Sequence, residues 1–174
     1  MTILYWALGI VLAIFLLTVF RGAPYVPSRR RDVERVFDEL YHLQPNDVLV
    51  DLGSGDGKIC LEAAKRGAKA VGYEINPMLV LISRLRARGE AKAKFLLRDF
   101  WRSKLPTSVT VVYIFGDGRD ITKMVDWVEA QATRLKHPIY VLSYAFEVPS
   151  RVLTARNDVH FLYEIKPTLQ TKKT

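Results

Sequence analysis

The stretch Asp47–Gly67, DVLVDLGSGDGKICLEAAKRG, runs from apolar β-formers at Val48–Leu52 through glycines at alternate positions (Gly53, Gly55, Gly57) into a helix-forming segment. Glycine lacks a Cβ, so backbone in such a turn can come within contact distance of a ligand. A dinucleotide fingerprint would read G-x-G-x-x-G, but here the third glycine falls one position early and Lys58 stands in its place. Asp51 on the strand and Asp56 in the loop repel a pyrophosphate and suit a ligand that carries a positive amino group.

Downstream, strand and helix patterns alternate. Strands are predicted at Val48–Leu52, Ala70–Tyr73, Ala93–Leu97, Val109–Phe115 and Ile139–Tyr144. Helices are predicted at Lys58–Arg66, from Asn76-Pro77 to near Gly89, and along the face Ile121, Met124, Val125, Val128, Ala132 and Leu135. This alternation implies βαβ units and a mostly parallel α/β sheet, with a final hairpin turning at Asn157-Asp158 and giving an antiparallel strand. Upstream, Ser28 is a candidate cap for a helix with Val33, Val36, Phe37, Leu40 and Tyr41 at helical spacing.

Ligands of such sheets sit beyond the carboxyl ends of the strands. The first strand and turn offer Asp51, Leu52, Gly53, Ser54, Gly55, Asp56 and Gly57; the second strand ends at Glu74, Ile75 and Asn76; the third is followed by Asp99, Phe100 and Trp101. An acid about twenty residues after the turn can accept from both hydroxyls of a ribose. The acid after the third strand can accept from an exocyclic amine, and apolar or aromatic neighbours can sandwich a purine. An aminoacyl chain, a ribose and an adenine are the three parts of S-adenosylmethionine. Asn76 can equally serve as a helix cap, and Trp101 as core.

DLGSGDGKI, GYEIN and RDFW resemble the first three motifs of the seven-strand, Rossmann-like S-adenosylmethionine-dependent methyltransferases. That resemblance implies strand order 3-2-1-4-5-7-6 and S-adenosylmethionine as cofactor. APYVPS followed by a helix, then DLGSGDGKI and LSYAFEV, is similar to a compact subfamily of protein lysine methyltransferases, with archaeal broad-specificity members and membrane-anchored mitochondrial members that trimethylate a lysine of the ATP synthase c subunit. YIFGDG after the fourth strand departs from the Asn/Asp-Pro-Pro-Tyr signature of many amino-group methyltransferases, which argues against nucleobase and glutamine acceptors.

On the acceptor side, the ends of the fourth and fifth strands supply Asp117, Ser143, Tyr144, Phe146 and Glu147. Glu147, Tyr144 and Asp117 are the catalytic candidates, with Glu147 first because the resemblance places a matching acid in SYAFE. Asp117 or Asp120 can instead cap the next helix. The function this implies is N-methylation of a protein lysine, with a membrane protein as one acceptor class. Two other readings stay open: a lipid or small-molecule acceptor, and a non-catalytic scaffold with the same fold.

Ile3–Phe20 is an uninterrupted apolar run of a length that fits a ~30 Å hydrocarbon core. With Arg21, Arg29, Arg30 and Arg31 after it and no basic region before it, it reads as an uncleaved single-pass membrane helix with the remaining chain on the cytoplasmic side. The expected organisation is an anchor at 1–21, a linker and helix at 22–46, the methyltransferase domain at 47–167 and a tail at 168–174.

At 174 residues, 49% hydrophobic and 25% charged, the chain has the composition of one folded domain with an appendage. The net charge of +8 favours acidic partners, yet so short a chain has no room for an added recognition domain, so nucleic acid is not expected. A single cysteine, Cys60, excludes an intrachain disulfide and a cysteine zinc cage. His42, His137 and His160 lack ligand spacing, and no metal is assigned.

Overall fold

The computed structural model describes residues 2–6, 9–10, 29–116, 118, 120–149 and 151–168. Helix α1 (Arg30–Arg35) continues into a π-helical turn, Val36–Leu40. Then come β1 (Val48–Leu52), α2 (Lys58–Lys65), β2 (Lys69–Glu74), α3 (Pro77–Arg86) and β3 (Ala93–Leu97). A 3-10 turn, Phe100–Arg102, leads to β4 (Val111–Ile114), α4 (Ile121–Leu135), β5 (Ile139–Tyr144), β6 (Ala155–Arg156) and β7 (His160–Ile165).

The seven strands form one sheet in the order β3-β2-β1-β4-β5-β7-β6. β1 to β5 pair in parallel, while β7 runs antiparallel to both β5 and β6. The expected sheet is therefore present. β1 is buried along its whole length, as a central parallel strand covered on both faces must be. On one face α4 packs Ile121, Val125 and Val128 against Val50, Leu52, Val112, Ile114 and Val141. On the other, Val33, Val36 and Phe37 from α1 and its π turn, Ile59 and Ala63 from α2 and Val80 from α3 meet Leu49, Val111, Tyr113 and Leu142. Cys60 is fully buried here and its thiol is pushed up by burial, which keeps it an inert hydrophobe.

The single helix expected over Ser28–Tyr41 is split. Tyr41 N–H reaches the Val36 carbonyl at 3.0 Å, an i→i+5 bond that widens the last turn and leaves both Val36 and Phe37 facing the sheet. Ser28, the expected cap, lies outside the described residues.

The membrane-spanning helix expected over Ile3–Phe20 needs correction. Among the described residues no helix is long and apolar enough to cross a membrane. Helix is described only at 2–6 and 9–10 of that run, and 11–28 lie outside the described residues. A span takes ~20 continuous helical residues, whereas the longest described helix, α4, has 15 and packs on the sheet. Apolar composition reports a preference for burial, which is weaker than the unbroken hydrogen-bonded helix a crossing requires.

Two residues allow tests of the packing. Gly57, the N-cap of α2, has φ +83°, and a Cβ there would lie 2.6 Å from Cζ of Phe95 and 2.9 Å from Cβ of Ser83. Left-handed strain of ~1–2 kcal/mol adds to overpacking of ~1–3 kcal/mol, so Gly57→Ala is expected to cost about 3 kcal/mol, read from the denaturant midpoint. His160 is 0% exposed, and its ring lies against Tyr113 and Tyr144 with Nε2 3.0 Å from the Tyr113 hydroxyl. Burial, only partly offset by Asp32, lowers its pKa to about 4. Because the unfolded imidazole titrates near 6.5, protons bind the unfolded chain first, and stability falls as pH drops from 6.5 towards 4. The loss at pH 5 is expected to be about 2 kcal/mol; His160→Phe should flatten that segment of the stability–pH curve.

Candidate active site

The strands that meet the site end within one residue of the same level. Register places Glu74 opposite Leu97, Leu52 opposite Tyr73 and Ile114, Ile114 opposite Ser143, and Tyr144 opposite His160. One residue past Leu52 and Ile114, the row along the carboxyl edge therefore reads Leu97, Glu74, Gly53, Phe115, Tyr144, His160. Neighbouring strands lie ~4.8 Å apart, so Gly53 and Tyr144 stand roughly 10 Å from each other.

Asp51 sits one row below this edge, level with Gly72 and Tyr113. It is 4% exposed, and no described residue hydrogen-bonds its carboxylate. Burial first, then the charges of Glu74 and Asp56, push its pKa up to about 8. A carboxyl in this state gains strongly from a cation brought next to it.

Glu74 is as buried, at 8% exposed, but fully engaged: Oε2 accepts from Gly55 N–H at 2.9 Å and Oε1 from Asn76 N–H at 2.8 Å. One side chain thus ties the glycine turn to the start of α3, leaving a second lone pair on each oxygen for a hydroxyl donor. The turn itself is anchored by Gly53 and Ser54 N–H groups on the Tyr73 carbonyl, at 2.9 and 3.0 Å. Gly53 has φ +84° and nothing within 4 Å of a built Cβ, so its backbone faces open space. Ser54 is buried, with Oγ unpartnered.

The remaining cofactor-side candidates divide. Leu52 points into the core with Val50 and can offer only backbone. Ile75 is exposed beside Glu74. Asn76 is the N-cap of α3, its Oδ1 accepting from Met78 N–H at 2.9 Å and Leu79 N–H at 3.4 Å. Asp56 lies apart from Asp51: it pairs with Arg86 of α3 and with Lys58 at 3.5 Å. Asp99 is half-buried after β3 and accepts from Trp101 N–H at 3.0 Å. Phe100 leans on the core with Trp127 at 5.7 Å, and Trp101, 45% exposed, stacks on it at 4.6 Å.

On the acceptor side, Phe115, Tyr144 and Phe146 form an aromatic group at the ends of β4 and β5, with Phe115 centroids 5.4 Å from Tyr144 and 6.3 Å from Phe146. The chain doubles back here through Ala145, whose φ of +65° is held by its N–H on the Val159 carbonyl at 2.7 Å. Ser143 Oγ donates to the Phe146 carbonyl at 2.6 Å and closes the same turn. Glu147 is exposed, and no described residue hydrogen-bonds it. Asp117 lies outside the described residues. Two members of this region escaped the sequence reading. Phe115 carried a signal, an aromatic directly at a strand end in YIFGDG; Asp32, whose Oδ2 accepts from the Tyr144 hydroxyl at 3.0 Å, carried none, because 112 residues separate the two.

Another groove lies away from this edge. A space of about 390 Å³ opens between α1, α2 and α3, but its cations are already paired, Arg30 with Glu34, Lys65 with Glu62, and Lys58 and Arg86 with Asp56.

The chain is 48% identical over 96 residues to the ATP synthase c-subunit lysine N-methyltransferase of Rattus norvegicus, covering 53% of this chain and 43% of that protein. It is 43% identical over 86 residues to the adenine nucleotide translocase lysine N-methyltransferase of Mus musculus, covering 47% and 37%. The chain thus spans less than half the length of these two curated relatives. Among solved structures, an RNA methyltransferase from Salinibacter ruber in complex with S-adenosyl-L-homocysteine superposes with a TM-score of 0.74 at 26% identity, covering 84% of this chain and 97% of that one. Residues 51–155, from the first strand's aspartate to the start of β6, match the family described as the ANTKMT methyltransferase domain, and the chain belongs to that family.

Proposed function

We propose that this chain is an S-adenosylmethionine-dependent methyltransferase that N-methylates a protein lysine. The observation that carries the reading is Asp51: a nearly buried carboxyl, without a hydrogen-bond partner among the described residues and raised to about 8, one row below an open glycine backbone. The residues fit a cationic aminoacyl nucleoside. Asp51 would attract its positive charge, Glu74 would accept from the ribose hydroxyls, and Asp99, with Ile75, Phe100 and Trp101, would hold the purine. Gly53, Ser54, Gly55 and Gly57 contribute backbone rather than side chain, and Asn76 acts by fixing α3.

Bound there, S-adenosylmethionine supplies an electrophilic methyl on a sulfonium whose leaving group needs no proton. The chain's own task is then alignment of the acceptor and exclusion of water. A lysine with a reference pKa near 10.4 must lose its proton first, at roughly 4–5 kcal/mol at pH 7. Phe115, Tyr144 and Phe146 can hold the ammonium by cation–π attraction before that loss, and Glu147 stands outside them as a candidate proton acceptor.

The kind of acceptor follows the relatives, two of which are named for lysines of the ATP synthase c-subunit and of adenine nucleotide translocase. Isothermal titration with S-adenosylhomocysteine, followed by transfer of a labelled methyl and hydrolysis of the product, tests the reading. Binding together with labelled methyllysine supports it. Absence of binding, or label recovered in RNA or lipid instead of lysine, overturns it.

A further inference from the structure

We infer that Asp32, on α1 and outside the segment matched by the family, is the carboxylate that receives the target ammonium. The inference rests on the lysine-methyltransferase reading above and names a group that meets its acceptor.

The position of α1 makes this possible. Asp32 meets Tyr144, the last residue of β5, whereas Asp38 in the following π turn meets Arg66 just beyond the end of α2. The helical segment therefore crosses the sheet from its carboxyl edge to its amino edge, with its first turn over the site. It lies on the same face as Asp51. Leu49, Tyr113 and Leu142 share that face with Val33 and Val36, and the two-residue alternation along β1 and β5 puts Asp51 and Tyr144 there too. Asp51 and Tyr144 are two strands apart, so the two carboxyls flank one stretch of the carboxyl edge, with Phe115 between them.

Chemistry at this point suits an alkylammonium. Three N–H donors need acceptors, and the methylene stem needs apolar walls. The Tyr144 hydroxyl donates to Oδ2 of Asp32 and holds the carboxylate in place, while no described residue hydrogen-bonds its other oxygen. Phe115 stands edge-on to the Tyr144 ring at 5.4 Å. Of the neighbouring cations, Arg30 is committed to Glu34 and Arg35 to both Glu39 and Asp158, while Arg29 is near enough for its charge to act on the Tyr144 hydroxyl. His160, 5.0 Å from the Tyr144 ring, is kept neutral by burial and adds no competing charge. Glu147, exposed and unbonded, has no comparable fixed position.

The test uses the full chain, as wild type, Asp32→Asn and Asp32→Glu, with two readouts. Titration with S-adenosylhomocysteine reports the cofactor side. Ligand-observed NMR with Nα-acetyl-lysine-N-methylamide, against its norleucine counterpart, reports the acceptor side in protein saturated with S-adenosylhomocysteine. Asparagine can still accept from Tyr144, so Asp32→Asn is expected to fold and to bind the nucleoside as wild type does, yet to bind the lysine amide at least tenfold more weakly. Asp32→Glu should recover part of that loss, and the norleucine compound should bind none of the three. Equal lysine-amide affinity in wild type and Asp32→Asn, or no binding of it by loaded wild type, overturns the inference. So does loss of nucleoside affinity in Asp32→Asn, which would make Asp32 a structural residue. Failure of wild type to bind S-adenosylhomocysteine sinks the methyltransferase reading instead.

Discussion

Asp51→Asn is expected to give a chain that is more stable than wild type and binds S-adenosylhomocysteine at least a hundredfold more weakly. The carboxyl is raised to about 8 in the folded chain, chiefly by burial and then by Glu74 and Asp56, against about 3.9 when unfolded. Between those values the folded chain keeps a proton that the unfolded chain releases. Its contribution is fully present below the unfolded pKa and is lost as pH rises through about 8. The full shift would amount to ~4 kcal/mol at neutral pH; with relaxation around the site, about 2 kcal/mol is the expected gain from the neutral amide. Denaturant unfolding at pH 5, 7 and 8.5 checks this: the two curves should converge at low pH and separate as pH rises. An Asp51→Asn chain that is less stable at pH 8.5, or that binds the nucleoside normally, would remove Asp51 from the account.

Glu74→Gln carries the second largest effect, with the opposite sign on stability. Both Glu74 oxygens accept from backbone N–H groups, Gly55 on one side and Asn76 on the other. Glutamine presents one oxygen and one NH₂, so one buried N–H then faces a donor. The expected cost is about 2–3 kcal/mol, with S-adenosylhomocysteine affinity down ten- to a hundredfold as the glycine turn loosens and the proposed ribose acceptor is lost. Two acids of similar burial, one strand apart, thus respond in opposite directions. The difference is the presence of donors. Unfolding curves and titrations of the two variants side by side measure it, and a stability change of the same sign in both would contradict the distinction.

Much of this architecture was legible in the order of residues. β1 and β5 fall where the apolar runs predict them, the Asn76 cap and Pro77 open α3, and Gly57 ends the turn before α2. These features are local, since backbone preference and apolar period act over a few residues. The strand order came with the family resemblance and matches the sheet observed. The N-terminal apolar run shows the limit of such reading: composition alone suggested a span, and among the described residues no helix is able to make one.

What the chain's order determined by itself is a parallel sheet with acids and glycines at the carboxyl ends of its first three strands, because turn chemistry and strand period are written within single segments. Which of those acids work together was decided only by tertiary packing. Asp56 is drawn off to Arg86, Glu74 ties the turn's Gly55 amide to the Asn76 amide at the start of α3, and Asp32 arrives from a helix 112 residues before its partner Tyr144. A side chain's partner is set by which segments the sheet brings within ~3 Å of each other, and no local pattern encodes that distance.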